Sequence, residues 1–129
     1  MNVLDENIPE DQRQLLRSWR IRACQIGQDV GRQGMKDEQQ VIPLLLRLRR
    51  PTFFTRDQGF FSNAFCHSKY CLVCLAIEAD EAASFIRRTL RHSSFGTQAK
   101  RMGSVLLVRQ IGIRVLHGHQ KEELVGWEG

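Results

Sequence analysis

The sequence predicts an α/β protein, a three-layer α/β/α sandwich around a central, mainly parallel sheet. Three observations predict it. Short apolar segments alternate with segments of helical periodicity along the chain. The run Cys71–Ile77 (CLVCLAI) is nearly continuous in apolar residues, as a strand buried on both faces must be. Two further apolar segments, Val3-Leu4 and Thr52–Thr55, each lead into a carboxylate, Asp5 and Asp57. Ligands of open α/β sheets bind just beyond the carboxyl ends of the strands. Lying side by side, these two strands bring Asp5 and Asp57 to one cleft.

Met1 to Asp5 reads as the first strand. Pro9 suits a helix start, and Glu10 and Asp11 place negative charge where the helix dipole favours it. Leu15, Leu16 and Trp19 give that helix an apolar face. Ile21 to Ile26 reads as a second strand, followed by a loop marked by Gly27, Gly31 and Gly34. A second helix follows Asp37 with Val41, Leu44, Leu45 and Leu48 inward, and Pro43 predicts a kink or a late start. After the Thr52–Thr55 strand, Phe60, Phe61 and Phe65 form an aromatic segment expected to pack on the sheet. Asp80 is placed to cap a third helix, with Ala82, Phe85, Ile86 and Leu90 inward and Arg87, Arg88 and Arg91 outward. Ser104–Val108 and Ile111–Leu116 read as two more strands. The domain is expected to span 1–117, with 118–129 a polar, frayed tail from which Trp127 could dock back.

Length and composition narrow the function classes. At 129 residues the chain is one domain, and 42% apolar with 26% charged residues suits a soluble globule. No apolar run approaches the ~20 residues of a membrane span. The first residues lack the basic and apolar regions of a signal peptide. The expectation is a cytoplasmic protein without membrane contact, its four cysteines reduced. Net charge is +5, and the stretch 82–121 holds no Asp or Glu while carrying Arg87, Arg88, Arg91, Lys100 and Arg101 among its cations. Such a surface suits a polyanion, because Lys and Arg neutralise phosphates and release counterions; a solvated face is the competing reading.

The segments Leu4-Asp5-Glu6-Asn7-Ile8-Pro9, Asp37-Glu38 and Phe54-Thr55-Arg56-Asp57-Gln58-Gly59-Phe60 together resemble a PIN-like domain, and more narrowly the small bacterial PIN-like toxins encoded beside an antitoxin. The resemblance runs from Val3 to about Phe61, with the later strand order compatible. It implies a Mg²⁺- or Mn²⁺-dependent ribonuclease in which Asp5, Asp37 and Asp57 hold the metal and Glu6 is an auxiliary catalytic or structural acid. It also implies an RNA substrate and a small antitoxin partner, with a homodimer as a further expectation. Many PIN domains carry another acid two residues after the strand-end Asp; here that position is Gly59.

The residue types fit this chemistry independently. Carboxylates hold hard divalent cations, and such a cation neutralises phosphoryl charge and makes water nucleophilic near neutral pH. Competing roles stand beside each assignment. Asp5 and Asp37 are also suited to capping helices, and Glu6 to pairing with an arginine. Arg56 could contact phosphate or pair with an acid, and Arg87, Arg88, Arg91, Lys100 and Arg101 are the expected RNA-binding rim. Cys66-His67 with Cys71 and Cys74 suggests zinc, but residues three apart on a strand face opposite sides. Gly27, Gly31 and Gly34 make no phosphate loop, since no Lys-Ser or Lys-Thr follows. Two function classes remain: a metal-dependent ribonuclease, and a non-catalytic PIN-like interaction module whose acids are structural.

Overall fold

The computed structural model describes residues 1–35 and 38–128. Seven strands form one sheet: β1 (Asn2–Leu4), β2 (Cys24–Gln25), β3 (Thr52–Thr55), β4 (Cys71–Leu75), β5 (Ser104–Arg109), β6 (Gly112–His117) and β7 (Glu123–Val125), in the order β2-β1-β3-β4-β5-β6-β7. The first five pair in parallel. β6 and β7 pair antiparallel, so the sheet is mixed, with its antiparallel part at one end. Among the described residues four α-helices, α1 (Glu10–Ser18), α2 (Glu38–Arg47), α3 (Ala82–Arg91) and α4 (Gln98–Arg101), complete the fold with three short 3-10 turns.

Each sheet face carries its own core because the strand residues alternate. Leu4, Phe54, Cys71, Val73 and Leu106 face Leu16 of α1 and Phe85 and Ile86 of α3. Val3, Phe53, Leu72, Cys74 and Val105 face Val41, Leu44 and Leu45 of α2 and Phe60. Cys71 and Cys74 therefore belong to different cores. Phe53 and Phe54 are fully buried on opposite faces, each stabilising the fold by about 1.5–3 kcal/mol. Buried Gln12 ties α1 to α3 by accepting the Ala83 N–H at 2.9 Å, one of the donors a helix start leaves unpaired.

Several elements differ from the sequence reading. The second strand shrinks to two residues, because the Ile21 N–H still bonds back to Leu16 O at the end of α1. Pro43 lies inside α2, within an unbroken helical assignment. Glu81, not Asp80, closes the turn before α3: its carboxylate accepts the Glu78 N–H at 3.2 Å. The stretch expected to be a tail adds β7 to the sheet, and Trp127 Nε1 donates to Arg109 O at 2.8 Å. Among the described residues no helix is long and apolar enough to cross a membrane.

Candidate functional site

The strand order fixes where a ligand can enter. The chain leaves β1 for β2 on one side, then crosses back to β3 on the other. Loops after β1 and β3 therefore diverge, and the crevice between them lies at the switch point of the sheet. Asp5 follows β1 and Asp57 lies two residues past β3, so both sequence-predicted acids reach this crevice.

Thr55 joins them. Its hydroxyl donates to Asp5 Oδ2 at 2.6 Å and accepts from Asn7 Nδ2 at 3.2 Å and from the Asp57 N–H at 3.0 Å. A hydroxyl has one proton and two lone pairs, so this one is saturated. Asp5 Oδ1 takes the Glu6 N–H at 2.8 Å, and Asn7 Oδ1 takes the Arg56 N–H at 3.1 Å. Asp57 is exposed, and its Oδ1 accepts the Gly59 N–H at 2.9 Å, starting a 3-10 turn. Glu6, also exposed, accepts the Gly34 N–H through Oε1 at 2.7 Å and so pins the loop after β2 to the crevice.

Electrostatically the site is unbalanced. Asp5 is only 5% exposed, and its carboxyl is held above the usual range. Burial is the main cause; the Thr55 hydroxyl and Glu6 N–H pull the other way, and the charges of Asp57 and Glu6 push it up again. Among the described residues none of these three acids is in an ion pair; the pairs are Arg13 with Glu10 and Asp29, and Arg114 with Glu122. Asp57 Oδ2 and Glu6 Oε2 carry no hydrogen bond among the described residues. Among the described residues no group of three or more His, Cys, Asp or Glu is drawn together tightly enough to form a ready metal cage. Asp37, the remaining predicted ligand, lies outside the described residues.

Several of the cations expected to form a basic rim make contacts within the protein. Arg87 stacks over Trp19 at 3.6 Å, and Arg88 over Trp127 at 4.2 Å. Lys100 Nζ donates to Ser93 O at 2.8 Å, while Arg91 is exposed. The rim assignment of Arg101 needs correcting. Its side chain is buried and donates to Thr52 Oγ1 at 3.0 Å and Phe95 O at 2.7 Å, which makes it a bolt across the start of β3. Arg56 makes no ion pair among the described residues, and its Nε is buried without a hydrogen bond.

Sequence reasoning missed Thr55 and Asn7 as the residues that organise the acids. It also missed a groove of about 580 Å³ lined by Arg13, Arg17, Arg20, Arg22 and Cys24 between α1 and the approach to β2. The Arg13/Arg17 spacing of four on a helix was the available signal.

No family model, curated protein or solved structure matches the chain.

Proposed function

We propose that the crevice is the active site of a Mg²⁺- or Mn²⁺-dependent ribonuclease of the PIN-like type. One observation carries this reading: Asp5 and Asp57, from the ends of adjacent parallel strands, meet through one saturated hydroxyl, with Glu6 beside them and none of the three in an ion pair among the described residues. The donor set fits a hard divalent cation, since among the described residues Asp57 and Glu6 each keep a carboxylate oxygen free of hydrogen bonds and Asp5 supplies buried negative charge. When bound, such an ion would neutralise phosphoryl charge and lower the pKa of water.

The chain's own residues supply the rest. Thr55 and the Glu6 N–H hold the two carboxylate oxygens of Asp5 in place. The second bond of Thr55, to the Asp57 N–H, fixes the start of the loop that carries Asp57. Asn7 bridges the two loops, from Thr55 to the Arg56 N–H. Asp37 completes the set in this reading. Action as the toxin of a toxin–antitoxin pair, with a small antitoxin covering the crevice, belongs to the same proposal.

One observation favours the alternative, a non-catalytic interaction module. Where many PIN domains have a further acid, Gly59 donates its N–H to Asp57 and closes a turn. Cleavage of mixed RNA in Mg²⁺, Mn²⁺ or EDTA, by wild type and Asp57→Asn, decides between them. Metal-dependent cleavage abolished by the substitution supports the nuclease; no cleavage in either metal leaves the module.

A further inference from the structure

Around the parallel strands of this protein the acidic residues are sorted by sheet edge. The segments that lead into β2, β3, β4 and β5, residues 18–23, 47–51, 66–70 and 92–103, contain no Asp or Glu. They carry Arg20, Arg22, Arg49, Arg50, Lys69 and Lys100 among others. The acids follow the strands' other ends: Asp5 and Glu6 after β1, Asp29 after β2, Asp57 after β3, Glu78 and Asp80 after β4. A phosphate backbone would therefore be attracted to the edge opposite the acid crevice, about 17 Å away at ~3.3 Å per residue from Thr52 to Asp57.

The arginine groove connects the two edges. It flanks β2, the strand at the end of the sheet. At one end Arg20 and Arg22 are exposed, and with Arg17 they meet no acid and no side-chain hydrogen-bond partner among the described residues. At the other end Arg13 bonds to Gln28 and to Asp29 at 3.0 Å, in the loop after β2. A second hollow, of about 180 Å³, begins at that loop and is lined by Glu6, Gln25, Gly27, Gln28 and Gln33. The sequence of surfaces is thus three guanidiniums unpaired among the described residues, a neutralised arginine, amide side chains, and then the carboxylates.

We infer that this groove is the track of the RNA backbone: Arg17, Arg20 and Arg22 hold phosphates, and the strand passes the β2 edge to reach Glu6 and Asp5. The identity of the polyanion as RNA rests on the nuclease reading; the track itself rests on the groove. Arginine suits the task because its planar fork binds phosphate with two parallel hydrogen bonds. Unbalanced cations on one wall are otherwise a cost in self-repulsion. The arrangement also lets the acids stay uncompensated, since binding energy is gathered away from them.

The test is binding of a fluorescein-labelled single-stranded RNA by anisotropy, in EDTA, across a range of salt. The full chain is compared with the triple variant Arg17→Gln/Arg20→Gln/Arg22→Gln and with Arg88→Gln/Arg91→Gln. The triple variant should bind more weakly and flatten the salt slope by about 2, at ~0.7 per phosphate contact on single strands. The Arg88/Arg91 variant should keep the wild-type slope. A wild-type slope in the triple variant, with its fold intact by circular dichroism, would overturn the track. So would displacement of RNA by poly-glutamate at equal charge, which would assign the groove to an acidic protein. Because EDTA suppresses cleavage, failure to bind here and failure to cleave with metal are separate results.

Discussion

Thr55 Oγ1 lies 2.6 Å from Asp5 Oδ2, the shortest of the three hydrogen bonds at that hydroxyl. The contact crosses from the end of β3 to the residue after β1, fifty positions apart in the chain. It couples the burial of one acid to the placement of the other, because the same oxygen receives the Asp57 N–H. A change at Thr55 must therefore register at both acids.

Thr55→Val keeps the shape of the side chain and removes all three bonds. Asp5 Oδ2 then loses its donor while remaining buried. Hydrogen bonds to charged groups contribute about 1.5–3 kcal/mol, so the variant should be about 2–3 kcal/mol less stable by urea unfolding. The Asp5 carboxyl should also titrate higher, since the Thr55 bond holds it down. A variant as stable as wild type, with an unmoved Asp5 titration, would mean that the hydroxyl does not organise the site.

Asp5 also sets a pH dependence. Burial raises its native pKa above the unfolded value, so the native state holds this proton more tightly than the unfolded chain. The stability it contributes is fully present below the unfolded pKa, about 3.9, and is lost as pH rises through the native pKa. In EDTA, the stability difference between wild type and Asp5→Asn should move in favour of the variant as pH rises through that window, then level off. Carbon-13 NMR of Asp5 gives the native pKa directly. Asp57→Asn should lower it, because one repelling charge is gone.

The parts of the fold that sequence reveals are those with local pattern. β3 and β4 are apolar runs bounded by turns, and α1 and α3 have amphipathic spacing, so their existence follows from period alone. β7 has no such pattern: Glu123 and Leu124 are exposed, and the strand forms because its backbone pairs with β6. Arg101 illustrates the same limit for charge. In a basic run it reads as surface, and only the fold reveals that Thr52 Oγ1 and Phe95 O await it. Asp5 and Asp57 were legible because each closely follows an apolar strand, whereas the role of Thr55 depends on β1 and β3 being neighbours.

The chain past residue 117 should be needed for stability. Trp127 packs its ring against Phe85 and His92, with centroids 5.6 and 6.1 Å away, and His92 Nε2 contacts Gly126 O at 2.7 Å. Trp127→Ala should cost about 3 kcal/mol, near the low end for aromatic truncation because the ring is only half-buried. Thermal unfolding checks it, and an unchanged Tm would return 118–128 to the status of a loose tail.

Arg101 and Arg91 separate structural from surface cations. Arg101→Ala removes two buried hydrogen bonds and leaves Phe95 O without this donor, so a loss of about 2–4 kcal/mol is expected. Arg91→Ala touches an exposed side chain and should stay within about 0.5 kcal/mol of wild type. Equal effects in urea unfolding would contradict the placement of Arg101.

Divalent cations provide the most direct test of the crevice. Asp5, Glu6 and Asp57 repel one another and none is in an ion pair among the described residues, so a bound ion should stabilise the native state. At a concentration one hundred times its dissociation constant, a ligand of the native state adds about 2.7 kcal/mol. Mg²⁺ or Mn²⁺ should accordingly raise the Tm, EDTA should reverse the rise, and the Asp5 carboxyl should titrate lower with metal present. If the proposed site holds, Asp57→Asn removes one ligand and one charge, so its Tm should respond far less to the same metal. Its metal-free Tm should match or exceed that of wild type, because the mutual repulsion at Asp5 is relieved. Equal metal-induced shifts in the two proteins would place the ion elsewhere and remove Asp57 from the site.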